Sequence, residues 1–172
     1  IEDKFIFIGR INPIKNIDVL IRAFNRLLKD NNNKHLKLII IGSARLDYEI
    51  KYLDNLKIIV EEKKLQNNVI FKGQIQGASK FLEIASSKLL ILPSKSENFG
   101  NVVLESLSQQ TPVIASKGTP WSLLRDYNAG YWIDIKEDYM QLYKSMKNFL
   151  SLGKDQVEEM RKNAFDLCNL EF

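Results

Sequence analysis

Arg10 and Lys15 stand five positions apart in the stretch Gly9-Arg10-Ile11-Asn12-Pro13-Ile14-Lys15-Asn16. The stretch follows an apolar run and leads into a helical pattern, so the two cations flank a strand-to-helix turn. An anion placed there would gain from both: a guanidinium can fork across two phosphate oxygens, and an ammonium acts as a flexible point charge. The plainer reading is two solvated cations among the chain's 25 Lys and Arg residues.

A second constellation is Pro93-Ser94-Lys95-Ser96-Glu97-Asn98-Phe99-Gly100-Asn101, followed by a helical run through Val102, Val103, Leu104 and Leu107. Gly100 lacks a Cβ and permits close approach of a ligand to the backbone, and the first N–H groups of a helix are ready donors to an anion. Glu97 and Glu105, eight positions apart, bracket this entrance. At about 100° per residue Glu105 falls roughly opposite Val103 and Leu107, away from the core. A carboxylate can accept both hydroxyls of a vicinal diol, which suits a ribose or hexose whose phosphates meet the amides and cations. Alternatively, Glu97 is a loop charge and Glu105 a solvated residue.

Both constellations need elements to hold them. Short apolar runs at Phe5–Ile8, Leu36–Ile41, Val69–Phe71, Leu89–Leu92, Val113–Ala115 and Tyr131–Ile133 predict six strands. Their continuity, without strict alternation, says that both faces are covered, as in a parallel sheet between helix layers. Between the first two runs Ile17, Leu20, Ile21, Phe24, Leu27 and Leu28 recur at helical spacing until Asn31-Asn32-Asn33 breaks the pattern. Further helices are predicted at about Tyr48–Leu65, Ala78–Ser86, Asn101–Gln110, Ser122–Asn128, Tyr139–Leu150 and Gln156–Leu170. Such alternation predicts an α/β fold: one doubly wound Rossmann-like domain over residues 1–172, a six-stranded parallel sheet with helices on both faces. In that architecture ligands sit beyond the carboxyl ends of the strands, where both constellations fall.

Composition excludes several classes. The net charge of +4 is mild beside a nucleic-acid footprint, and the lysines are interleaved with acids, as in Glu61-Glu62-Lys63-Lys64. One cysteine, Cys168, and one histidine, His35, rule out an internal disulfide and Cys- or His-built metal sites. No apolar run approaches the roughly 20 residues of a transmembrane helix. The chain opens on a strand, without a methionine or a signal peptide, which fits a fragment of a longer intracellular protein. A receiver-like module needs acids after the first strand, where Gly9 and Arg10 stand. Neither a Gly-x-Gly-x-x-Gly turn nor a Gly-Lys-Ser/Thr P-loop occurs.

In order along the chain, Phe7-Ile8-Gly9-Arg10 with Lys15-Asn16, Leu38-Ile39-Ile40-Ile41-Gly42, Val69-Ile70-Phe71-Lys72-Gly73, the Glu97-x7-Glu105 element, Thr111-Pro112-Val113-Ile114-Ala115 and Gly118-Thr119-Pro120 make a composite pattern. It resembles the C-terminal domain of GT-B-fold, retaining family-4 glycosyltransferases, the group 1 glycosyltransferases, and the resemblance covers most of the chain. Gly-Gly-x-x-Glu in many members is Gly118-Thr119-Pro120-Trp121 here, a version that resembles a bacterial lipopolysaccharide or capsule subgroup.

The resemblance implies a donor-binding half of a GT-B enzyme that lacks, in this chain, its N-terminal acceptor domain and is inactive alone. It implies that Arg10 and Lys15 hold the diphosphate of a UDP- or GDP-linked sugar, that Glu97 lies near the transferred hexose, and that Glu105 takes the ribose hydroxyls. Gly9 and the amides of Phe99, Gly100, Asn101 and Val102 would line the site, with the base against Gln74 and Ile75. It further implies no metal or other cofactor, a saccharide or lipid-linked acceptor, a role in bacterial cell-surface polysaccharide synthesis, and a cytoplasmic enzyme peripheral at the inner membrane. The alternative function is a non-catalytic doubly wound nucleotide- or phosphate-binding regulatory module. Trp121 reads as a packing residue at a helix start, His35 as an exposed turn residue, and Cys168 as a buried thiol.

Overall fold

The structure, a computed structural model, describes residues 1–30, 32–135 and 138–172. Asn31, the first of the predicted helix-breaking asparagines, lies outside the described residues. The elements alternate as the apolar runs predict: β1 (Lys4–Ile8), α1 (Ile17–Leu28), β2 (Lys37–Ile41), α2 (Asp47–Glu62), β3 (Val69–Lys72), α3 (Ala78–Ala85), β4 (Leu89–Leu92), α4 (Asn101–Ser108), β5 (Val113–Ser116), α5 (Leu123–Asp126), β6 (Gly130–Ile133), α6 (Met140–Leu150) and α7 (Lys154–Glu171).

All six strands are parallel, in the order β3-β2-β1-β4-β5-β6. Phe5 pairs with Leu38 on one side and with Leu89 on the other, so β1 is central. The residues of β1, β2, β4 and β5 that the sequence shows as unbroken apolar runs are buried, apart from the half-buried Ile8 at the end of β1, because helices cover both faces. On one face α1 packs against α2 and α6; on the other α4 packs against α3 and α7. No helix among the described residues is long and apolar enough to cross a membrane.

Several helix ends differ from the periodicity, each for a local reason. The predicted Asn101–Gln110 helix stops at Ser108, because Gln110 adopts a left-handed backbone, φ 57°. The predicted Ser122–Asn128 helix is only Leu123–Asp126, with Asn128 at φ 51° turning the chain into β6. The α2 helix begins at Asp47, where the Glu49 carboxylate accepts the N–H groups of Arg45 (2.9 Å) and Leu46 (3.2 Å).

Candidate functional site

Sheet order reverses between β1 and β4: the chain leaves β1 toward β2 and returns through α3 to β4 on the other side. The loops after these two strands therefore diverge and open a crevice at the switch point. They are the two loops whose side chains could do chemistry. The Lys95 N–H donates to the Ile14 carbonyl at 2.8 Å, which ties one loop to the other.

Each loop is built by its own sequence. After β1, the Asn12 side chain accepts the Ile14 N–H at 3.0 Å and caps a short 3-10 turn over Pro13–Lys15, with Pro13 supplying the fixed φ of a first helical position. After β4, Gly100 holds a left-handed backbone at φ 78°. A Cβ there would lie 3.0 Å from Leu92 Cδ2 and 3.5 Å from the Trp121 ring nitrogen. The α4 helix starts at the next residue, so the Asn101 and Val102 amides have no intrahelical acceptor. Gly118 closes the arrangement from β5: its carbonyl accepts the Glu97 N–H at 2.9 Å, and a Cβ on it would sit 2.3 Å from the Lys95 carbonyl oxygen.

Two compartments lie beyond the strand ends. The first, about 510 Å³, extends over β1, β2 and β3 and is lined by Gly9, Arg10, Ser43, Arg45, Gln74, Ile75 and Lys80 among others. The second, about 410 Å³, lies over β1 and β4 and is lined by Gly9, Lys15, Lys80, Glu97, Phe99, Gly100, Asn101, Val102 and Glu105 among others. Ile8, Gly9 and Lys80 belong to both, so the compartments adjoin. Every predicted site residue lines one or the other. A larger hollow of about 770 Å³, at the opposite end of the sheet near Ile1 and α7, contains none of them.

Three of the cations in the crevice are paired with carboxylates. The Lys15 ammonium meets the Glu97 carboxylate at Oε1, where the Ser94 hydroxyl also donates at 3.1 Å. Lys80 pairs with Glu105 at 2.6 Å, and Arg10 Nε pairs with Glu49 at 2.6 Å. Glu105 is thus neither core nor freely solvated, but a half-buried partner of Lys80. Among the described residues, no group of three or more His, Cys, Asp or Glu side chains could hold a metal ion.

Arg45, Lys80 and Glu49 were not among the predicted site residues. Arg45 had a legible signal, since it follows Gly42 in a loop after a strand end; its guanidinium donates to the Gln74 side chain at 3.1 Å. Lys80 and Glu49 lie in helices, where nothing in the sequence marks one charge above its neighbours. Trp121 packs as expected, 1% exposed, and its ring N–H donates to the Phe99 carbonyl. His35 is exposed near Asp3, and Cys168 is half-buried against the core.

Hydrogen bonds from the Arg45 N–H, the Asn12 side chain and the Leu46 N–H, with the charge of Arg10, hold the Glu49 carboxyl down at about 2 despite its burial. The folded value lies below the ordinary 4.5. Stability from this group is therefore full above the unfolded pKa and is lost as pH falls through the folded one. Expected outcome: the gap in Tm between the native chain and Glu49→Gln is constant from pH 7 to 5 and narrows between about pH 4.5 and 2. Thermal melts across that window check it; a gap that does not change with pH contradicts the assignment.

The "Glycosyl transferases group 1" family model matches residues 2–166, nearly the whole chain. The chain belongs to the group 1 glycosyltransferases. It is 33% identical over 120 residues to the alpha-monoglucosyldiacylglycerol synthase of Streptococcus pneumoniae, covering 70% of this chain and 25% of that relative. It is 28% identical over 166 residues to an N-acetylgalactosaminyltransferase of Campylobacter jejuni named for a diphospho-undecaprenol-linked acceptor, covering 95% and 41%. The chain thus spans well under half the length of these curated relatives. Its fold superposes on Anabaena HepE, solved with UDP and glucose, with TM-score 0.85 at 20% identity, over 99% of this chain and 44% of that one. It also superposes on the C-terminal domain of a group 1 glycosyl transferase, LpcC, from Francisella tularensis, with TM-score 0.84 at 22% identity, over 98% and 85%. At those identities the likeness shows the fold: that of a GT-B glycosyltransferase domain.

Proposed function

We propose that this chain binds the nucleotide-sugar donor of a retaining glycosyltransferase that passes a hexose to a saccharide or lipid-linked acceptor, in bacterial cell-surface polysaccharide synthesis at the cytoplasmic side of the membrane. The observation that carries the reading is the meeting of Lys15 and Glu97, on loops more than 80 residues apart in sequence, beside the open amides of α4.

The parts divide the donor between them. Arg10 and Lys15 face the diphosphate, which leaves with the electron pair of the anomeric C–O bond and gains charge as it goes; fixed cations offset that charge with no need of a metal. An ammonium has three N–H donors, so Lys15 keeps two for phosphate oxygens while it holds Glu97. Both side-chain partners of the Glu97 carboxylate, Lys15 and Ser94, meet Oε1, and Oε2 remains to accept from a hydroxyl of the hexose. Glu105 takes the ribose hydroxyls, and the base lies in the neighbouring compartment against Gln74 and Ile75. Transfer needs the acceptor-binding domain of the whole enzyme; this chain alone binds donor without turnover.

Thermal melts with UDP, GDP and their hexose conjugates test the reading. At a concentration about 100 times its Kd, the correct ligand stabilises by about 2.7 kcal/mol, which raises the Tm of a domain of this size by roughly 5 to 10 °C. A panel in which no nucleotide diphosphate moves the melt sinks it.

A further inference from the structure

We infer that Glu49 is a positioning residue for the phosphate-binding cations, acting through Arg10. The inference rests on the donor-binding reading above and adds to it a residue outside the strand-end loops.

Glu49 lies in the first turn of α2, and its side chain is fully buried. A carboxylate taken out of water persists as an anion only where donors replace its hydration. Here the two oxygens divide the task. Oε2 accepts the Arg45 and Leu46 N–H groups, which belong to the loop after β2. Oε1 meets the Asn12 side-chain amide at 2.9 Å and Arg10 Nε at 2.6 Å, which belong to the loop after β1. One buried anion therefore joins the two loops that wall the first compartment. Asn12 in turn caps the 3-10 turn that ends on Lys15. The connection to the site is specific to this arrangement, because a bare helix-capping glutamate would need only the backbone N–H groups of its own first turn.

The Arg10 side chain is 53% exposed, and without a tether it would sample many rotamers. The ion pair engages Nε and leaves the two terminal nitrogens of the guanidinium for a phosphate. Ordering one long side chain before the ligand arrives is worth roughly a two- to tenfold gain in affinity. A positioning role and a purely electrostatic one predict opposite signs. Removing a negative charge beside an anion site strengthens binding by simple Coulomb attraction, whereas releasing Arg10 weakens it.

The test is calorimetry on this chain with UDP and GDP and, in parallel, uridine and guanosine, comparing Glu49→Gln, Arg10→Ala and the double variant. Expected: Glu49→Gln lowers affinity for the diphosphate two- to tenfold, leaves nucleoside binding unchanged, and has no further effect once Arg10 is Ala. Tighter or unchanged diphosphate binding overturns the proposal. So does an equal loss of nucleoside binding, which marks a merely structural role, or a loss that persists in the Arg10→Ala background. A second measurement needs neither a Glu49 variant nor a ligand: the relaxation of the Arg10 Nε signal in NMR, assigned by its disappearance in Arg10→Ala, is expected to report a side chain more ordered than those of the other exposed arginines. Mobility equal to that of the other exposed arginines overturns the tether. A chain that binds neither UDP nor GDP brings down the donor reading, and the NMR signal then decides the tether by itself.

Discussion

Replacing Arg10 and Lys15 together by Ala is expected to lower the affinity of the chain for UDP or GDP by about a hundredfold. A charge-assisted hydrogen bond contributes roughly 1.5 to 3 kcal/mol, so two of them correspond to about 10² to 10⁴ in affinity. The lower end applies here. Arg10 is about half exposed and screened by water, and Lys15 starts from a pair with Glu97, so part of what it gains from phosphate it already has. The two single changes should differ. Lys15→Ala leaves the Glu97 carboxylate uncompensated beside an incoming anion, so it should cost more than Arg10→Ala, whose partner Glu49 keeps three other donors. Calorimetry at fixed ionic strength measures both. Affinity unaffected by the double change would remove the phosphate assignment and leave the two residues as ordinary surface cations.

Trp121→Ala is expected to be the most destabilising change near the site, at about 3 to 5 kcal/mol, because it empties the space of a large ring in a packed core. For a domain of this size that corresponds to a fall in Tm of roughly 10 °C or more. Trp121 is nearly fully buried, and its ring centroid lies 5.1 Å from that of Phe99. Its N–H holds the Phe99 carbonyl, one residue before the left-handed Gly100 that turns the chain into α4. The ring therefore supports the backbone that presents the α4 amides, and nucleotide binding should weaken along with the fold. Trp121→Phe separates the two effects: most of the volume stays, and the lost hydrogen bond costs about 1 kcal/mol. Denaturant unfolding of both variants checks this, and a Trp121→Ala chain as stable as the native one would show that the ring is dispensable.

Much of the site was legible because its loops carry unusual residue types at strand ends. Lys15, Glu97, Gly100 and Glu105 line one compartment of the crevice, and Arg10, Gln74 and Ile75 line the adjoining one. What escaped were the partners of those residues. Lys80 and Glu49 are helical charges with the same local pattern as any solvated pair, and only their burial and their contacts, to Glu105 and to Arg10, distinguish them. Helix ends escaped as well, where a single left-handed residue such as Gln110 or Asn128 overrides an apolar period that would have continued.

The division has one physical cause. Apolar periodicity is a local property, set by which side of each strand or helix must leave water, so the sequence alone determined the order and type of the elements and, with them, a parallel doubly wound sheet. It also determined that cations follow β1 and carboxylates flank the start of α4. Which strand lies beside which is a long-range matter decided by packing of the whole sheet. Placing β4 next to β1, with β2 on the far side, is what brings the Lys15 loop against the Glu97 loop. The same placement sets Glu49, from a helix with no mark of function, beneath Arg10.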